Sequence, residues 1–270
     1  TGALVTLRHA AWGSPPGFLP ANLRLGSAIM DTLGQMWSLL PVSEFTPALR
    51  EALAQTYTPE RTLADAFARW ILSLLGEGGL VMVDGADARL KRLVAGVFRQ
   101  ELDEAPRSAR SILAASESLR VLGYSPQIEA RTDGVNCFLL RDGRRGLSRD
   151  AAGFRLRDTG QVIPVSDMRR LAQEQPESFS PNVALRPIVQ DTLFPTLAYV
   201  AGPGELAYFA QLLPMYRAFD VPMPLIVPRA SLTLLEPRVA QLLERFHLGL
   251  PDLTLEPEQL ASRVLRAHLP

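Results

Sequence analysis

Three stretches of the chain combine arginine, hydroxyl and glycine residues in patterns suited to holding an anion. The first is Ser180-Pro181-Asn182-Val183-Ala184-Leu185-Arg186-Pro187, followed by Gln190 and Asp191. Arg186 precedes a helix start, where the helix dipole makes a cation unfavourable unless an acid or a ligand meets it. Asn182 is a ligand contact or an ordinary turn residue, and Gln190 and Asp191 face a ligand or bridge internally. The second stretch is Gly202-Pro203-Gly204-Glu205. Its glycines let the backbone turn sharply and let a ligand approach closely, and the N–H groups opening the next helix attract negative charge. A plain tight turn is the competing reading, with Glu205 an acid favoured by the dipole. Tyr208, three residues on, shares the helical face of Glu205 and lines a site or joins the core. The third is Pro228-Arg229-Ala230-Ser231-Leu232-Thr233. On an extended segment Ser231 and Thr233 face one way and Leu232 the other. An arginine with two hydroxyls suits a carboxylate or a phosphate; a salt bridge on a polar strand face is the alternative.

Other chemistries are restricted by residue counts. Lys91 is the only lysine, and no Gly-Lys-Ser/Thr stands in the sequence, so a Walker P-loop is excluded. A Schiff base has only Lys91 to use; a solvated lysine is its ordinary reading and a pocket role the other. The nearby Asp84 and Asp87 belong to a turn that could line the same pocket. Cys137 is alone, which excludes an internal disulfide and a cysteine-based zinc site. It reads as a half-buried structural thiol, with no histidine near it in sequence to act as a base. His9, His247 and His268 are far apart, with no HExxH spacing, and His247 is explained by a helix C-terminus. No metal site and no G-x-S-x-G elbow is legible, and no catalytic acid, base or nucleophile is assigned. With 28 basic and 28 acidic residues in 270, the formal charge is zero. That argues against a nucleic-acid binder or a polybasic membrane-surface protein. No apolar run reaches the ~18 residues of a membrane span, and a reducing, cytoplasmic setting is expected. At 47% hydrophobic and 21% charged residues, the composition is that of a folded protein with a real core.

The elements that must position these residues follow from periodicity. Residues 1–20 read as a Pro/Gly-rich linker. Helices are predicted over 22–40, 47–56 and 63–76, the last capped by Thr58 or Thr62. The apolar run Leu80-Val81-Met82-Val83 predicts a buried parallel strand, followed by the Asp84–Asp87 turn and a helix, then a helix over 108–122. Between 126 and 163, Asp133-Gly134 and Asp142-Gly143 mark hairpin turns, and short alternating strands predict an inserted antiparallel β module. A capped helix is expected over 166–173 and another from Pro187. Strands are expected at 196–201 and 225–227, with a helix over 205–219 between them and helices after Pro237 and over 252–268. Strands alternating with helices predict an α/β fold, a Rossmann-like parallel sheet with helices on both faces. In such a sheet the loops at the strand C-termini gather at one edge. The turns at 84–87, 202–205 and 229–233 are therefore expected to share a rim.

The blocks 180–191, Pro195-Thr196-Leu197-Ala198-Tyr199-Val200-Ala201-Gly202-Pro203-Gly204-Glu205 with Tyr208, and 228–233 closely resemble the bacillithiol-biosynthesis family BshC. The strand after Gly79, with Asp87 and Lys91, is similar to the same family. The resemblance is strong over about 60–240 and weak before 55. It implies a Rossmann-like core interrupted by connecting-peptide insertions. The expected organisation is a linker and helical segment (1–57), a first core part (58–125), the inserted β module (126–165), a second core part (166–250) and a helical segment leading to a coiled coil (251–270). The family's Glu-Asp-His-Asp motif is not in this sequence, and the coiled coil, through which the full-length protein is expected to homodimerise, is expected beyond it. Part of the site is thus expected to lie elsewhere. The activity implied is a ligase for a low-molecular-weight thiol, joining L-cysteine to glucosaminyl-malate by an amide bond. Because amide formation from a carboxylate is uphill in water, ATP is the expected activator. In that reading Gly202, Gly204 and Arg229 hold anionic groups, Ser231 and Thr233 bond substrate, and Arg186 neutralises the malate carboxylates. The alternative is a non-catalytic or other Rossmann-like nucleotide- or sugar-binding protein, acting as a dimeric pathway component.

Overall fold

The computed structural model describes residues 23–268, with side chains to residue 266. The predicted linker over 1–20 lies outside the described residues. The chain forms two compact units, Thr1–Pro228 and Arg229–Pro270.

The described part of the first unit begins with three helices, α1 (Ala28–Leu39), α2 (Thr46–Thr56) and α3 (Leu63–Leu75). Thr62 caps α3, its hydroxyl accepting the Asp65 N–H at 3.2 Å. The run 80–83 is not assigned as a strand: it has no sheet partner among the described residues, and Val81 is 79% exposed. An apolar run supplies side chains for a strand but not the neighbouring N–H and C=O groups that define one. Helices α4 (Ala88–Leu93), α5 (Ala95–Glu104) and α6 (Arg107–Val121) follow. Gly123, at φ +83°, ends α6, where a side chain would be strained.

Strands β1 (Gly134–Leu140), β2 (Arg144–Asp150), β3 (Gly153–Leu156), β4 (Val162–Ile163) and β5 (Phe179–Pro181) form one antiparallel sheet in the order β4-β3-β2-β1-β5. The β1–β2 loop is three residues, Arg141 to Gly143 between the paired Leu140 and Arg144, and holds Asp142 and Gly143 at positive φ. Gly153 closes the next turn at φ +146°; a Cβ there would lie 2.5 Å from the Ile163 carbonyl oxygen. Helix α7 (Val165–Glu174) sits between β4 and β5. The inward faces of this sheet and of α5, α6 and α8 (Leu185–Leu193) make the main core, with Phe98 stacked on Phe179 at 5.7 Å.

Parallel pairing among the described residues is confined to β6 (Ala198–Ala201) and β7 (Leu225–Pro228), joined in register from Ala198–Leu225 to Ala201–Pro228. The larger sheet is antiparallel, so the predicted three-strand parallel sheet is corrected to one pair. The predicted 205–219 helix is two, α9 (Pro203–Phe209) and α10 (Leu213–Ala218). Pro214 cannot donate to the turn before it. At the break, buried Gln211 accepts the N–H groups of Gln127 and Ile128 and donates to Ser116 Oγ and the Ile128 carbonyl. In the second unit, α11 (Pro237–Arg245) and α12 (Pro257–His268) flank a turn in which Asp252 pairs with Arg263 at 2.8 Å.

Candidate functional site

Helix α8 is set by the residues before it. Asn182 Oδ1 accepts the N–H groups of Ala184 (2.9 Å) and Leu185 (3.0 Å), and its carbonyl accepts the Arg186 N–H at 2.9 Å. Three of the free N–H groups of the helix start are thereby satisfied. Arg186, half-buried in the first turn, aims its guanidinium at three acceptors: Gln190 Oε1 (3.1 Å), Tyr199 Oη (3.1 Å) and Tyr208 Oη (2.9 Å). It also lies 5.6 Å from the centre of the Tyr199 ring.

The bonds continue in both directions. The Tyr199 hydroxyl donates to Glu205 Oε1 at 2.6 Å, and Glu205 Oε2 accepts the Gly202 N–H at 2.9 Å. Gln190 Nε2 donates to Asp191 Oδ1 at 3.3 Å, and the Tyr216 hydroxyl donates to Asp191 Oδ2. Phe209 lies against the rings of Tyr199, Tyr208 and Tyr216 and fixes them. Burial and the bond to Glu205 push the Tyr199 phenol up to about 12, so it stays a donor throughout the neutral range. Burial works against the Arg186 charge, but bonding and attraction to Tyr208 and Tyr199 outweigh it and hold its pKa above the usual value.

A cavity of about 500 Å³ opens beside this network. Arg186, Gln190 and Lys91 supply its polar wall, Gly85 the turn after the 80–83 run, and Val83, Val189 and Phe194 part of its apolar wall. Lys91 is buried, not solvated, and among the described residues its Nζ donates to the Glu177 carbonyl, at 3.2 Å. Burial lowers its pKa, and Arg144 adds to that; Asp84 and Glu177 pull the other way. Neither Arg186 nor Lys91 forms an ion pair with a carboxylate among the described residues.

The structure brings Arg186, Gln190, Tyr208, Glu205 and Asp191 into one network and places Lys91 on the cavity it borders. Asp84 accepts the Ala86 N–H at 2.8 Å and shapes the turn. Asp87 caps α4 and pairs with Arg89, whose hydrogen bonds hold its carboxyl at about 2. The Gly202 N–H is occupied by Glu205, so an anion there would compete with a carboxylate. Gly204 has open space around it. Arg229, Ser231 and Thr233 belong to the second unit, on an exposed stretch without regular structure. Cys137 is fully buried, which pushes its thiol well up and leaves it inert. Sequence reasoning passed over Tyr199 and Tyr216. The signal for Tyr199 was a phenol inside an otherwise apolar strand, on the face shared with Ala201.

Comparison with known proteins gives one answer. The family model "Bacillithiol biosynthesis BshC, N-terminal Rossmann-like domain" matches residues 9–230. A Salinibacter ruber protein named "Putative cysteine ligase BshC" is 42% identical over 240 residues, 87% of this chain and 44% of its own length. The protein of the same name from Chlorobaculum tepidum is 36% identical over 247 residues, 90% of this chain and 44% of its own. That from Heliobacterium modesticaldum is 40% identical over 224 residues, 82% and 41% respectively. The chain thus spans less than half the length of these relatives. No helix of the described residues is long and apolar enough to cross a membrane.

Proposed function

The chain belongs to the BshC family of bacillithiol biosynthesis, and from that membership we propose that it forms the anion-holding part of a cysteine ligase. The reaction would join the L-cysteine carboxyl carbon to the amine of glucosaminyl-malate. ATP would supply the activation that makes the carboxylate reactive. The observation that carries the reading is a half-buried guanidinium and a buried ammonium lining one cavity, neither paired to a carboxylate among the described residues. Unpaired charge taken out of water is costly, and a bound carboxylate or phosphate relieves that cost at both cations together. Arg186 has its fork fixed by Tyr208, Tyr199 and Gln190, so it meets a planar malate carboxylate without first being ordered. Lys91 adds a second positive charge at the cavity wall. Arg229, with Ser231 and Thr233, is a further proposed set of contacts, tested by Arg229→Ala.

The test uses the intact protein with glucosaminyl-malate, L-cysteine and ATP, following bacillithiol by mass spectrometry. Product with consumption of ATP supports the ligase. Tight binding of glucosaminyl-malate without product puts the non-catalytic pathway component in its place. Arg186→Ala, checked for folding by circular dichroism, is expected to abolish binding of glucosaminyl-malate; unchanged binding would remove Arg186 from the site.

A further inference from the structure

A second polar cluster lies in the interior, away from the cavity. Glu101 on α5 is fully buried. Its Oε1 accepts the Asn136 N–H at 2.6 Å and the Ser108 hydroxyl at 3.0 Å, while its Oε2 has no hydrogen-bond partner among the described residues. Asn136 Nδ2 donates to the same Ser108 oxygen at 3.1 Å. From Asn136 the bonds pass to Asn182 twice: Asn182 N–H to the Asn136 carbonyl (2.9 Å), and Asn182 Nδ2 to Asn136 Oδ1 (3.1 Å). Asn182 in turn holds the N–H groups of Ala184, Leu185 and Arg186. An unbroken hydrogen-bonded path thus runs from a core carboxyl to the turn that carries Arg186.

The strand pairing shows how this path is built. Gly134 pairs with Ser148 and Phe138 with Gly146, so four steps on β1 oppose two on β2. On the other edge of β1, the Asn182 N–H bond to the Asn136 carbonyl extends the β1–β5 register one residue past Cys137–Pro181, while the Asn136 N–H turns from that ladder to Glu101. A buried carboxyl with one oxygen unpartnered is expensive. Simple core filling is done better by an apolar side chain.

We propose that Glu101, Ser108, Asn136 and Asn182 are positioning residues, an interior relay that fixes the first turn of α8 and with it the Arg186 guanidinium. The role as a relay rests on geometry alone; its consequence for ligand rests on the proposed anion site. Two measurements on the intact protein separate these. The first is hydrogen exchange of the peptide spanning 183–190. Glu101→Ala is expected to speed exchange there at least about tenfold, although residue 101 is on another element, and Glu101→Gln, which keeps an acceptor, is expected to restore protection. Unchanged exchange in Glu101→Ala, or equal loss in both variants, overturns the relay.

Should Glu101→Ala fail to fold, Asn182→Asp replaces it. That change keeps the acceptor that caps α8 but removes the donor to Asn136. The second measurement is calorimetric binding of glucosaminyl-malate. Asn182→Asp is expected to weaken binding about tenfold while its melting temperature stays within about 2 °C of the parent. A lowered melting temperature with unchanged affinity reduces the cluster to a structural role. If the parent protein itself binds no glucosaminyl-malate, the proposed anion site fails, and the exchange data alone decide the relay.

Discussion

The two sheets of the first unit differ in what they bury. In the antiparallel sheet Leu139, Leu147, Phe154 and Phe179 are fully enclosed, between helices α5 to α8. In the parallel pair Val200 is 60% and Leu225 69% exposed, and only the face carrying Tyr199 and Ala201 meets the core. The antiparallel sheet supplies stability, and the parallel pair supplies Tyr199, one of the three acceptors around Arg186. The exposed face of the parallel pair adds little to that stability, while the path from Glu101 through Asn136 and Asn182 links the core to Arg186. A change on that exposed face should leave the core nearly untouched.

The largest expected effect tests that separation. Phe154→Ala removes a fully buried ring and should cost about 3–5 kcal/mol in denaturant unfolding. Val200→Ala, on the exposed face of β6, should cost about 0.5 kcal/mol or less. Equal losses would erase the distinction. The next effect is a pH dependence that originates at Glu101 on α5, packed against the antiparallel sheet. Burial raises the Glu101 carboxyl from its usual 4.5 to about 7, against the pull of Asn136 and Ser108. The folded protein therefore keeps this proton longer than the unfolded chain does. The stability it contributes, on the order of 3 kcal/mol, is full below pH 4.5 and is lost as pH rises through about 7. Asp87, held at about 2, does not titrate in that window. Unfolding measured from pH 4.5 to 7.5 should show this fall, and Glu101→Gln should flatten it. A fall that survives in Glu101→Gln would place its source elsewhere.

What could be read from the sequence followed the range of the interactions. Helices with their own punctuation, such as Thr62 before α3 and Gly123 after α6, were legible because caps are local. The hairpin at Asp142-Gly143 was legible for the same reason. The 80–83 run was not, because being a strand depends on a partner that no local signal specifies. The break at Pro214 had a signal, the missing N–H, which the apolar periodicity overrode. In the site, Arg186 was visible as a cation at a helix start. The burial of Lys91 was not, since the carbonyl that holds its ammonium, at Glu177, comes from a segment distant in sequence. The Glu101–Asn136–Asn182 path was invisible for a related reason: each residue has an ordinary local role, and only the pairing of β1 with β5 and the packing of α5 against β1 bring them together.

A smaller effect sharpens the recognition side. Arg186→Lys keeps the charge but loses the planar fork that bonds Gln190, Tyr199 and Tyr208 at once. Affinity for glucosaminyl-malate should fall about tenfold, equivalent to ~1.4 kcal/mol, with denaturant stability changed by less than about 1 kcal/mol. An unfolding cost as large as that of Phe154→Ala would mean that Arg186 supports the core as much as the cavity.

The smallest effect asks whether the network acts as a graded support or as a single unit. Tyr199→Phe removes one hydroxyl that accepts from Arg186 and donates to Glu205. Arg186 retains Gln190 and Tyr208, and Glu205 retains the Gly202 N–H. Only two bonds are lost, both near solvent, and Glu205 can recover one from water, so the cost in unfolding should be about 1 kcal/mol. Because the fork is still held at two points, affinity for glucosaminyl-malate should drop by less than about fivefold, less than in Arg186→Lys. The double variant Tyr199→Phe, Tyr208→Phe leaves Gln190 alone, and its loss should exceed the sum of the single changes if the two phenols hold one guanidinium between them. A strictly additive result would show that each tyrosine acts alone, with Tyr199 of the parallel pair and Tyr208 of α9 supporting the charge independently.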